Sequence, residues 1–312
     1  MTGSREQPGD APKVSVIIPA YGMPHYLNQA IESVSRQTFT DYELLVVDDG
    51  SGDDVTRQYK LPERARLVPL SRHFGEPSGP RNAGFRESVG RYIAFLDQDD
   101  VWLPEKLERQ VALIEASPEA GLVYCHFTRV DDNLVPLDKQ ARHHAVGPDP
   151  LRQLLDLCIA MSPTTGLVRR EVLDDVGGFD ESLGGGAEDW DLLIRIATRH
   201  SLRDDPTPMA LYRIHPGQMT EDRLSMSRGH IRMLEKHLPI FRRDRPDLVG
   251  LLRRHLAHRY RQHADALLET KLDRRGAARA LFTAMRVWPW RWEIYRRLAA
   301  VAFSALRAGR HN

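Results

Sequence analysis

Residues 91–100 of the chain read Arg91-Tyr-Ile-Ala-Phe-Leu-Asp97-Gln-Asp99-Asp100. Apolar and aromatic residues run directly into three carboxylates, which predicts a buried strand that ends in acidic side chains. Ligands of open α/β sheets bind beyond the carboxyl ends of the strands, so we expect a functional site here. If the chain stays extended, Asp97 and Asp99 point to the same side, because side chains alternate along a strand.

Two carboxylates this close repel each other unless a cation lies between them. Their hard oxygen ligands suit Mg²⁺ or Mn²⁺ and do not suit zinc. An isolated Asp-x-Asp is more often a solvated acidic turn that caps a following helix, here one that starts near Pro104. The motif alone therefore leaves a metal site and a capping turn open.

Two earlier segments predict neighbouring strands of the same sheet. Val14 to Tyr21 is apolar except for Ser15, and Tyr42 to Asp48 runs into Asp48-Asp49-Gly50-Ser51. A helical pattern over His25 to Thr38 separates them, and Asp53 is suited to cap a short helix after the second strand. This βαβ unit requires a parallel sheet with a right-handed crossover.

Two later segments also carry polar side chains where elements begin or end. Glu188-Asp189-Trp190 opens a predicted helix, where exposed N–H groups stabilise acids, so these acids are explained equally well as caps. His215 ends a predicted strand that starts at Met209. A lone histidine in such a place is more often structural than a ligand.

The composition limits the classes of protein to which the chain can belong. The 312 residues are 41% hydrophobic, which is enough for a full core and an appendage. Cys125 and Cys158 indicate neither a disulfide framework nor a zinc site, so a reducing cytoplasm is the expected compartment. Residues 1–12 are polar and predict a disordered leader, and no apolar run approaches the length of a membrane span.

Charge is unevenly distributed along the chain. Met226 to Asn312 carries 20 Lys/Arg and 7 Asp/Glu, an excess of 13, while Met1 to Ser225 is at −12, which gives the overall +1. The end interleaves Trp288, Trp290, Trp292 and Tyr295 with arginines. Such a helix can lie at a membrane interface or pack on the preceding domain, and both interpretations stay open. We expect no nucleic-acid partner.

Several familiar signatures are missing from the sequence. It contains no Walker A motif, no Gly-x-Gly-x-x-Gly after the first strand, no Gly-x-Ser-x-Gly and no His-Glu-x-x-His. Their absence argues against a P-loop enzyme, a dehydrogenase, an α/β-hydrolase and a zinc protease.

An ordered series of short motifs resembles the family 2 glycosyltransferases, which are inverting enzymes with a GT-A fold. The series covers roughly Lys13 to Thr220. Its members are Ser15-Val-Ile-Ile-Pro-Ala-Tyr21, Leu45-Val-Val-Asp-Asp-Gly-Ser51, Gly79-Pro-Arg-Asn-Ala-Gly84, Phe95-Leu-Asp-Gln-Asp-Asp100, Gly178-Phe-Asp180, Glu188-Asp-Trp190 and Tyr212-Arg-Ile-His215. The resemblance implies a GT-A domain over 13–220, a Rossmann-like mostly parallel sheet with flanking helices, and a basic helical C-terminal extension over 221–312.

The resemblance also implies roles for individual residues. The donor would be a nucleoside-diphosphate sugar, most often UDP-linked, and Mg²⁺ or Mn²⁺ would be the cofactor. The implied nucleotide-binding and substrate-binding residues are Pro19, Ala20 and Tyr21 at the base, Asp49 at the base or ribose, Arg81 at the diphosphate, Asp97 at the ribose or sugar, and Gln98, Glu188 and Trp190. Asp99 and His215 would hold the metal ion, and Asp189 would be the general base.

The acceptor implied by the resemblance is a carbohydrate or a lipid-linked glycan, used in making cell-envelope polysaccharide, glycolipid or a related glycoconjugate. We expect the protein in the cytoplasm, or peripherally at the inner face of the membrane. The loop from His73 to Ser78 departs from the family pattern by its length and polarity. Two other classes stay open, a haloacid-dehalogenase-like phosphatase with Asp97 as nucleophile and a non-catalytic sugar-nucleotide-binding protein.

Overall fold

A computed structural model describes residues 11–137, 145–156, 162–184, 186–271 and 273–299. Nearly all of the predicted leader lies outside these residues. Residues 138–144, 157–161, 185 and 272 and the last thirteen residues lie outside them as well.

An eight-stranded mixed sheet forms the centre of the chain. Its spatial order is β3-β2-β1-β4-β7-β6-β8-β5. The strands are β1 (Val14–Ala20), β2 (Tyr42–Asp48), β3 (Ala65–Pro69), β4 (Tyr92–Phe95), β5 (Val101–Trp102), β6 (Ala120–Val130), β7 (Gly166–Arg169) and β8 (Ser201–Arg213). The pairs β1–β2, β2–β3, β1–β4 and β6–β8 are parallel, while β7 pairs antiparallel with β4 and β6, and β5 with β8. The predicted mostly parallel α/β sheet is confirmed.

The helices precede, follow and connect these strands. They are α1 (Pro24–Ser35), α2 (Asp53–Thr56), α3 (Ser78–Glu87), α4 (Lys106–Ala116), α5 (Pro150–Leu155), α6 (Arg170–Val176), α7 (Glu188–Arg199), α8 (Arg223–Asp244), α9 (Val249–Lys271) and α10 (Arg274–Val287). Residues 292–299 are helical as well. The predicted C-terminal helical extension is thus confirmed.

Two details of the predicted elements are wrong. Asp53 does not cap α2, because the N-cap is Gly52 at a φ of 84° and Asp53 is already the first helical residue. A positive φ favours glycine, so the backbone selects it there. The second error is an omission. The sequence did not predict the strand β5, because two residues are too short to show any periodicity.

Apolar side chains cover both faces of the sheet. Along β1, Val14, Val16 and Ile18 belong to the core shared with α1 and α4, whereas Ile17 faces the core shared with α3, α6 and the later part of α7. This alternation is the period of two that a strand imposes. On the second face α3 lies so close that a Cβ on Gly84 would come within 2.4 Å of Ile17 Cγ2.

The chain divides into two compact units. The first comprises Met1–Asp180 and Leu192–His215, and the second Glu181–Asp191 and Pro216–Asn312. In the second unit α8, α9 and α10 share a core that is rich in alanine, which allows close helix packing. The predicted domain boundary at residue 220 stays a prediction, since compactness does not establish independent folding. Among the described residues, no helix is both long and apolar enough to cross a bilayer.

Lys106 is a fully buried lysine at the first position of α4. Its Nζ donates to Gln110 Oε1 at 2.7 Å and lies 3.9 Å from the centroid of the Trp102 ring. Burial disfavours the ammonium form and lowers the pKa of Lys106 from 10.5 to about 8. The folded chain therefore releases this proton at a lower pH than the unfolded chain does.

We expect the Lys106→Met variant to lose part of the pH dependence of stability. Between about pH 8 and 10.5 the unfolded wild-type chain binds more protons at Lys106, so its free energy of unfolding rises with pH, by up to about 3 kcal/mol. Urea denaturation of both proteins across this range measures the difference. Parallel stability curves for wild type and Lys106→Met would contradict the assignment.

Candidate functional site

The acidic motif after β4 forms a turn. The N–H of Asp100 donates to the carbonyl of Asp97 at 3.1 Å, so the backbone reverses between them. The extended geometry considered from the sequence is therefore wrong. Asp97 and Asp99 are each about one quarter exposed, and Asp100 is buried. The turn thus gives its carboxylates three different environments.

Asp100 holds the turn from inside the protein. Its carboxylate accepts a hydrogen bond from Thr164 Oγ1 at 2.6 Å and another from the N–H of Arg213 at 3.0 Å. Thr164 Oγ1 also accepts from the N–H of Asp97 at 3.2 Å. Burial, followed by the nearby Asp99 and Asp97 carboxylates, raises the pKa of Asp100 well above its ordinary value. Asp100 is best understood as the structural acid of the motif.

Arg213 is a fully buried arginine at the end of β8. Its guanidinium donates to the carbonyl of Asp99 at 2.7 Å, to the carbonyl of Asp132 at 2.5 Å and to Gln29 Oε1 at 2.6 Å. Arg213 therefore links the turn at Asp97–Asp100 to α1, through Gln29, and to the residues after β6, through Asp132. Sequence reasoning gave Arg213 no role, although it stands inside the quoted Tyr212-Arg-Ile-His215 motif.

Asp99 and His215 meet, as expected for two residues predicted to hold one metal ion. His215 Nε2 lies 3.1 Å from Asp99 Oδ2, and its ring also packs against Tyr26 at 4.8 Å between centroids. Burial, followed by the Asp97 carboxylate, raises the pKa of Asp99 above its ordinary value. A negative charge is therefore costly at Asp99, and a cation beside it would remove that cost.

Arg81 pairs with the other exposed carboxylate of the motif. Arg81 Nη2 donates to Asp97 Oδ1 at 2.6 Å, and the guanidinium lies 5.1 Å from the Phe179 ring centroid. Only 4% of the Arg81 side chain is exposed. Neighbouring Asn82 exchanges two hydrogen bonds with the backbone of Phe179, which fixes this part of α3.

Tyr21, which is predicted to line the base site, directly follows β1. Its backbone exchanges two hydrogen bonds with the Gln98 side chain, at 2.8 and 3.1 Å. Its ring stacks on His73 at 4.1 Å, and the residue is 47% exposed. Pro19 and Ala20 are buried in the strand just before it. Gln98 therefore positions Tyr21, whichever ligand it contacts.

The unusual loop after β3 surrounds Asp49. The Asp49 carboxylate accepts from the N–H groups of Phe74 at 2.9 Å and Gly75 at 3.2 Å, and His73 Nδ1 lies 2.9 Å from it. Asp48 turns away and accepts from the Tyr59 hydroxyl instead. The departure from the family pattern thus has a physical role, because this loop orients Asp49 and the Tyr21–His73 stack.

The first turn of α7 belongs to the second unit and is held there by a buried acid. Asp191 is fully buried and accepts from Lys236 Nζ and His237 Nε2 of α8, both at 2.8 Å. Trp190 is buried and packs edge-on against His230 at 5.6 Å. Glu188 is buried, whereas Asp189 is partly exposed and accepts from the N–H of Trp190 at 2.5 Å.

The predicted site residues therefore fall into two groups. Pro19, Ala20, Tyr21, Asp49, Arg81, Asp97, Gln98, Asp99 and His215 lie in the first unit, and Glu188, Asp189 and Trp190 in the second. No cluster of three or more His, Cys, Asp or Glu side chains suited to a metal ion occurs within the described part of the chain. The Asp99–His215 pair would offer two ligands, which is enough only for an ion that takes its other ligands from substrate and water.

Comparison with protein families identifies one match. Residues 15–177 match the model of glycosyl transferase family 2. An uncharacterised glycosyltransferase of Nostoc sp. is 34% identical over 213 residues, which are 65% of this chain and 65% of the relative, just under two thirds of its length. A UDP-Glc:α-D-GlcNAc-diphosphoundecaprenol β-1,3-glucosyltransferase of Escherichia coli, WfgD, is 32% identical over 39% of this chain and 48% of its own.

Two solved structures share the fold. Residues 1–349 of S. aureus TarS in complex with UDP-GlcNAc match with a TM-score of 0.66 and 20% identity, over 88% of this chain and 81% of that one. The mannosyltransferase PcManGT of Pyrobaculum calidifontis, in complex with GDP-Man and Mn²⁺, matches with a TM-score of 0.60 and 20% identity, over 97% and 83%. At this identity the likeness establishes the fold alone.

We expect Asp191→Asn to destabilise the second unit, because it removes the charge that Lys236 and His237 share in a buried position. Loss of a charged hydrogen-bond partner inside a protein costs about 1–3 kcal/mol. Chemical denaturation followed by tryptophan fluorescence measures the change. The control is Asp244→Asn, which removes an exposed acid of α8. Equal stability of the two variants would contradict an anchoring role for Asp191.

Proposed function

Because the chain belongs to glycosyl transferase family 2, we propose that it moves a sugar from a nucleoside-diphosphate sugar to an acceptor hydroxyl, with inversion at the anomeric carbon. The observation that carries the proposal is the turn after β4. Its two partly exposed carboxylates have separate partners, Asp97 with Arg81 and Asp99 with His215. The pairing offers a cation for the diphosphate and a ligand pair for a metal ion.

The base of the donor would bind at Tyr21. Its exposed ring, stacked on His73, offers an aromatic surface, and Asp49 lies beside it in a fixed orientation. UDP is the nucleotide that we propose, since the E. coli relative is named for a UDP-glucose donor and TarS is solved with UDP-GlcNAc. PcManGT is solved with GDP-Man, so GDP is the alternative that the experiment must include.

Asp99 and His215 would hold Mg²⁺ or Mn²⁺. The fit rests on the donor atoms, since the partly exposed Asp99 carboxylate offers the hard oxygen ligands that Mg²⁺ and Mn²⁺ prefer and has the His215 Nε2 3.1 Å away. A divalent ion bound there supplies charge that stabilises the leaving diphosphate. Arg81 is a second source of positive charge, and Asp97 holds its guanidinium in place at 2.6 Å.

Asp189 would act as the general base. A bond forms between the acceptor oxygen and the anomeric carbon as the bond from that carbon to the phosphate oxygen breaks. The acceptor proton passes to the Asp189 carboxylate, and the nucleoside diphosphate leaves with the electron pair. Asp189 is partly exposed at the start of α7, where the helix N-terminus stabilises its ionised form before the proton arrives.

The acceptor that we propose is a carbohydrate or a lipid-linked glycan in cell-envelope polysaccharide or glycoconjugate synthesis. The support is the name of the E. coli relative, whose acceptor is linked to diphosphoundecaprenol, and that of a putative teichuronic acid biosynthesis glycosyltransferase of Bacillus subtilis. The expected cytoplasmic location stays a prediction. No observation on the described residues favours the phosphatase interpretation.

A panel of nucleotides tests the donor and the metal ion without measuring activity. We expect one of UDP, GDP, dTDP and CDP to raise the melting temperature more with Mn²⁺ than without it, because a ligand that binds only the folded state stabilises it. Asp99→Asn and His215→Ala are expected to lose the Mn²⁺-dependent part of the shift. The exposed Asp174→Asn is the matched control and should respond like wild type. No shift with any nucleotide in the wild-type protein would contradict the proposed donor class.

Asp189→Asn tests the base. We expect transfer to fall by a factor of about 10²–10⁴, because the variant cannot accept the acceptor proton, while the nucleotide-induced thermal shift persists. Asp174→Asn is again the control. Loss of nucleotide binding together with activity would refute the base assignment, and full activity would favour a different base.

A further inference from the structure

The C-terminal helices present an exposed surface that the proposed reaction does not use. We call it the arginine–tryptophan face and define it by Arg275, Arg279, Phe282, Arg286, Trp290 and Trp292. The first four follow each other at steps of four, three and four residues along α10, so they form one stripe of the helix. The opposite side of α10 carries Ala277, Leu281 and Ala284, which are buried in the core of the second unit. The stripe is therefore the outer side of a packed helix.

The aromatic members of this face are unusually exposed. Phe282 is 55% exposed, Trp290 83% and Trp292 62%. Folded proteins normally bury most of the surface of such side chains, so three exposed aromatic rings within residues 282–292 point to an interaction site. Neighbouring contacts hold this segment in place, since the Tyr295 hydroxyl donates to the carbonyl of Pro289 at 2.9 Å and Arg296 lies 4.9 Å from the Trp292 ring centroid.

The charge around these aromatics is predominantly positive. Residues 274–299 contain seven arginines and a single acid, Glu293. Glu293 lies 4.0 Å from Arg291, so even this acid has a cation beside it. Arg275, Arg279 and Arg286 are exposed. The exposed aromatic rings suit an apolar layer of a partner, and the exposed arginines suit phosphate groups at its surface.

We propose that the arginine–tryptophan face binds the surface of an anionic phospholipid membrane. Tryptophan rings favour the level of the lipid headgroups, where their apolar body is buried and their N–H stays hydrated. Arginines at the same level interact with the phosphates. A second copy of this chain fits less well, because pairing two such faces brings arginines against arginines. The contact that we propose is peripheral, with the rings at the depth of the headgroups.

Flotation of the full chain with lipid vesicles tests the proposal independently of donor, metal ion and catalysis. We expect the protein to float with vesicles of phosphatidylcholine and phosphatidylglycerol, and to stay unbound with phosphatidylcholine alone. Raising the salt concentration should weaken binding, because salt screens the arginine–phosphate attraction. Equal binding to both kinds of vesicle, or to neither, overturns the proposal.

Two variants separate the aromatic contribution from the charge. Trp290→Ala with Trp292→Ala should lower the affinity for anionic vesicles by about tenfold or more, since both rings lose their buried apolar area. Arg275→Gln with Arg279→Gln and Arg286→Gln should lower it on the order of 100-fold, at about fivefold for each cation. The matched control removes three exposed arginines of the first unit, Arg36, Arg57 and Arg86, by the same change to Gln.

We expect the control to bind like wild type, and circular dichroism to show that every variant is folded. A control that loses as much affinity as the Arg275, Arg279 and Arg286 variant would mean that net charge alone drives binding, which overturns the assigned face. Light scattering distinguishes self-association. A wild-type dimer that Trp290→Ala with Trp292→Ala converts to a monomer, without any vesicle binding, would assign the face to a second copy and refute the membrane proposal.

Discussion

Repulsion between carboxylates at the end of β4 is the constraint on which the site depends. Asp97, Asp99 and Asp100 occupy one turn, and each carboxylate is stabilised by a different partner. Asp97 has the Arg81 guanidinium, Asp99 has the His215 ring, and Asp100 has two neutral hydrogen-bond donors inside the protein. Because these partners come from α3, from the chain after β8 and from the segment before β7, the turn ties three parts of the first unit together. A metal ion at Asp99 would complete an arrangement whose other charges are already balanced.

A carboxylate that needs partners also holds the first turn of α7. Asp191 is buried, and the cost of its charge is offset by Lys236 and His237 of α8. The segment that carries Asp189 therefore forms one compact unit with the C-terminal helices, although in sequence it lies among the motifs of the family. The basic extension is more than an appendage in this respect, since its helices supply the partners of a buried acid two residues from the proposed base.

The sequence predicted the parts of the fold that depend on local patterns. The apolar runs of β1, β2 and β4 identify strands buried on both faces. The motif series assigned Asp99 and His215 to one metal ion, which stays a prediction, and the two side chains do lie together. It did not predict the turn at Asp97, because an acidic run after a strand has no periodicity that distinguishes extension from reversal. Arg213 and Asp191 were missed for another reason. Charged residues are expected on the surface, and only contacts distant in sequence, such as Arg213 with Asp99, explain their burial.

Arginine shows why composition alone leaves function open. Arg81 is buried beside a carboxylate, Arg213 is buried among backbone carbonyls, and Arg279 is exposed to solvent on α10. Each contributes one positive charge to the total, yet the first two use their hydrogen-bonding capacity to hold the site. Only exposed arginines such as Arg279 keep their charge available to an external surface. The packing of α10 leaves Arg275, Arg279 and Arg286 exposed, so these arginines keep the charge that the proposed surface contact requires.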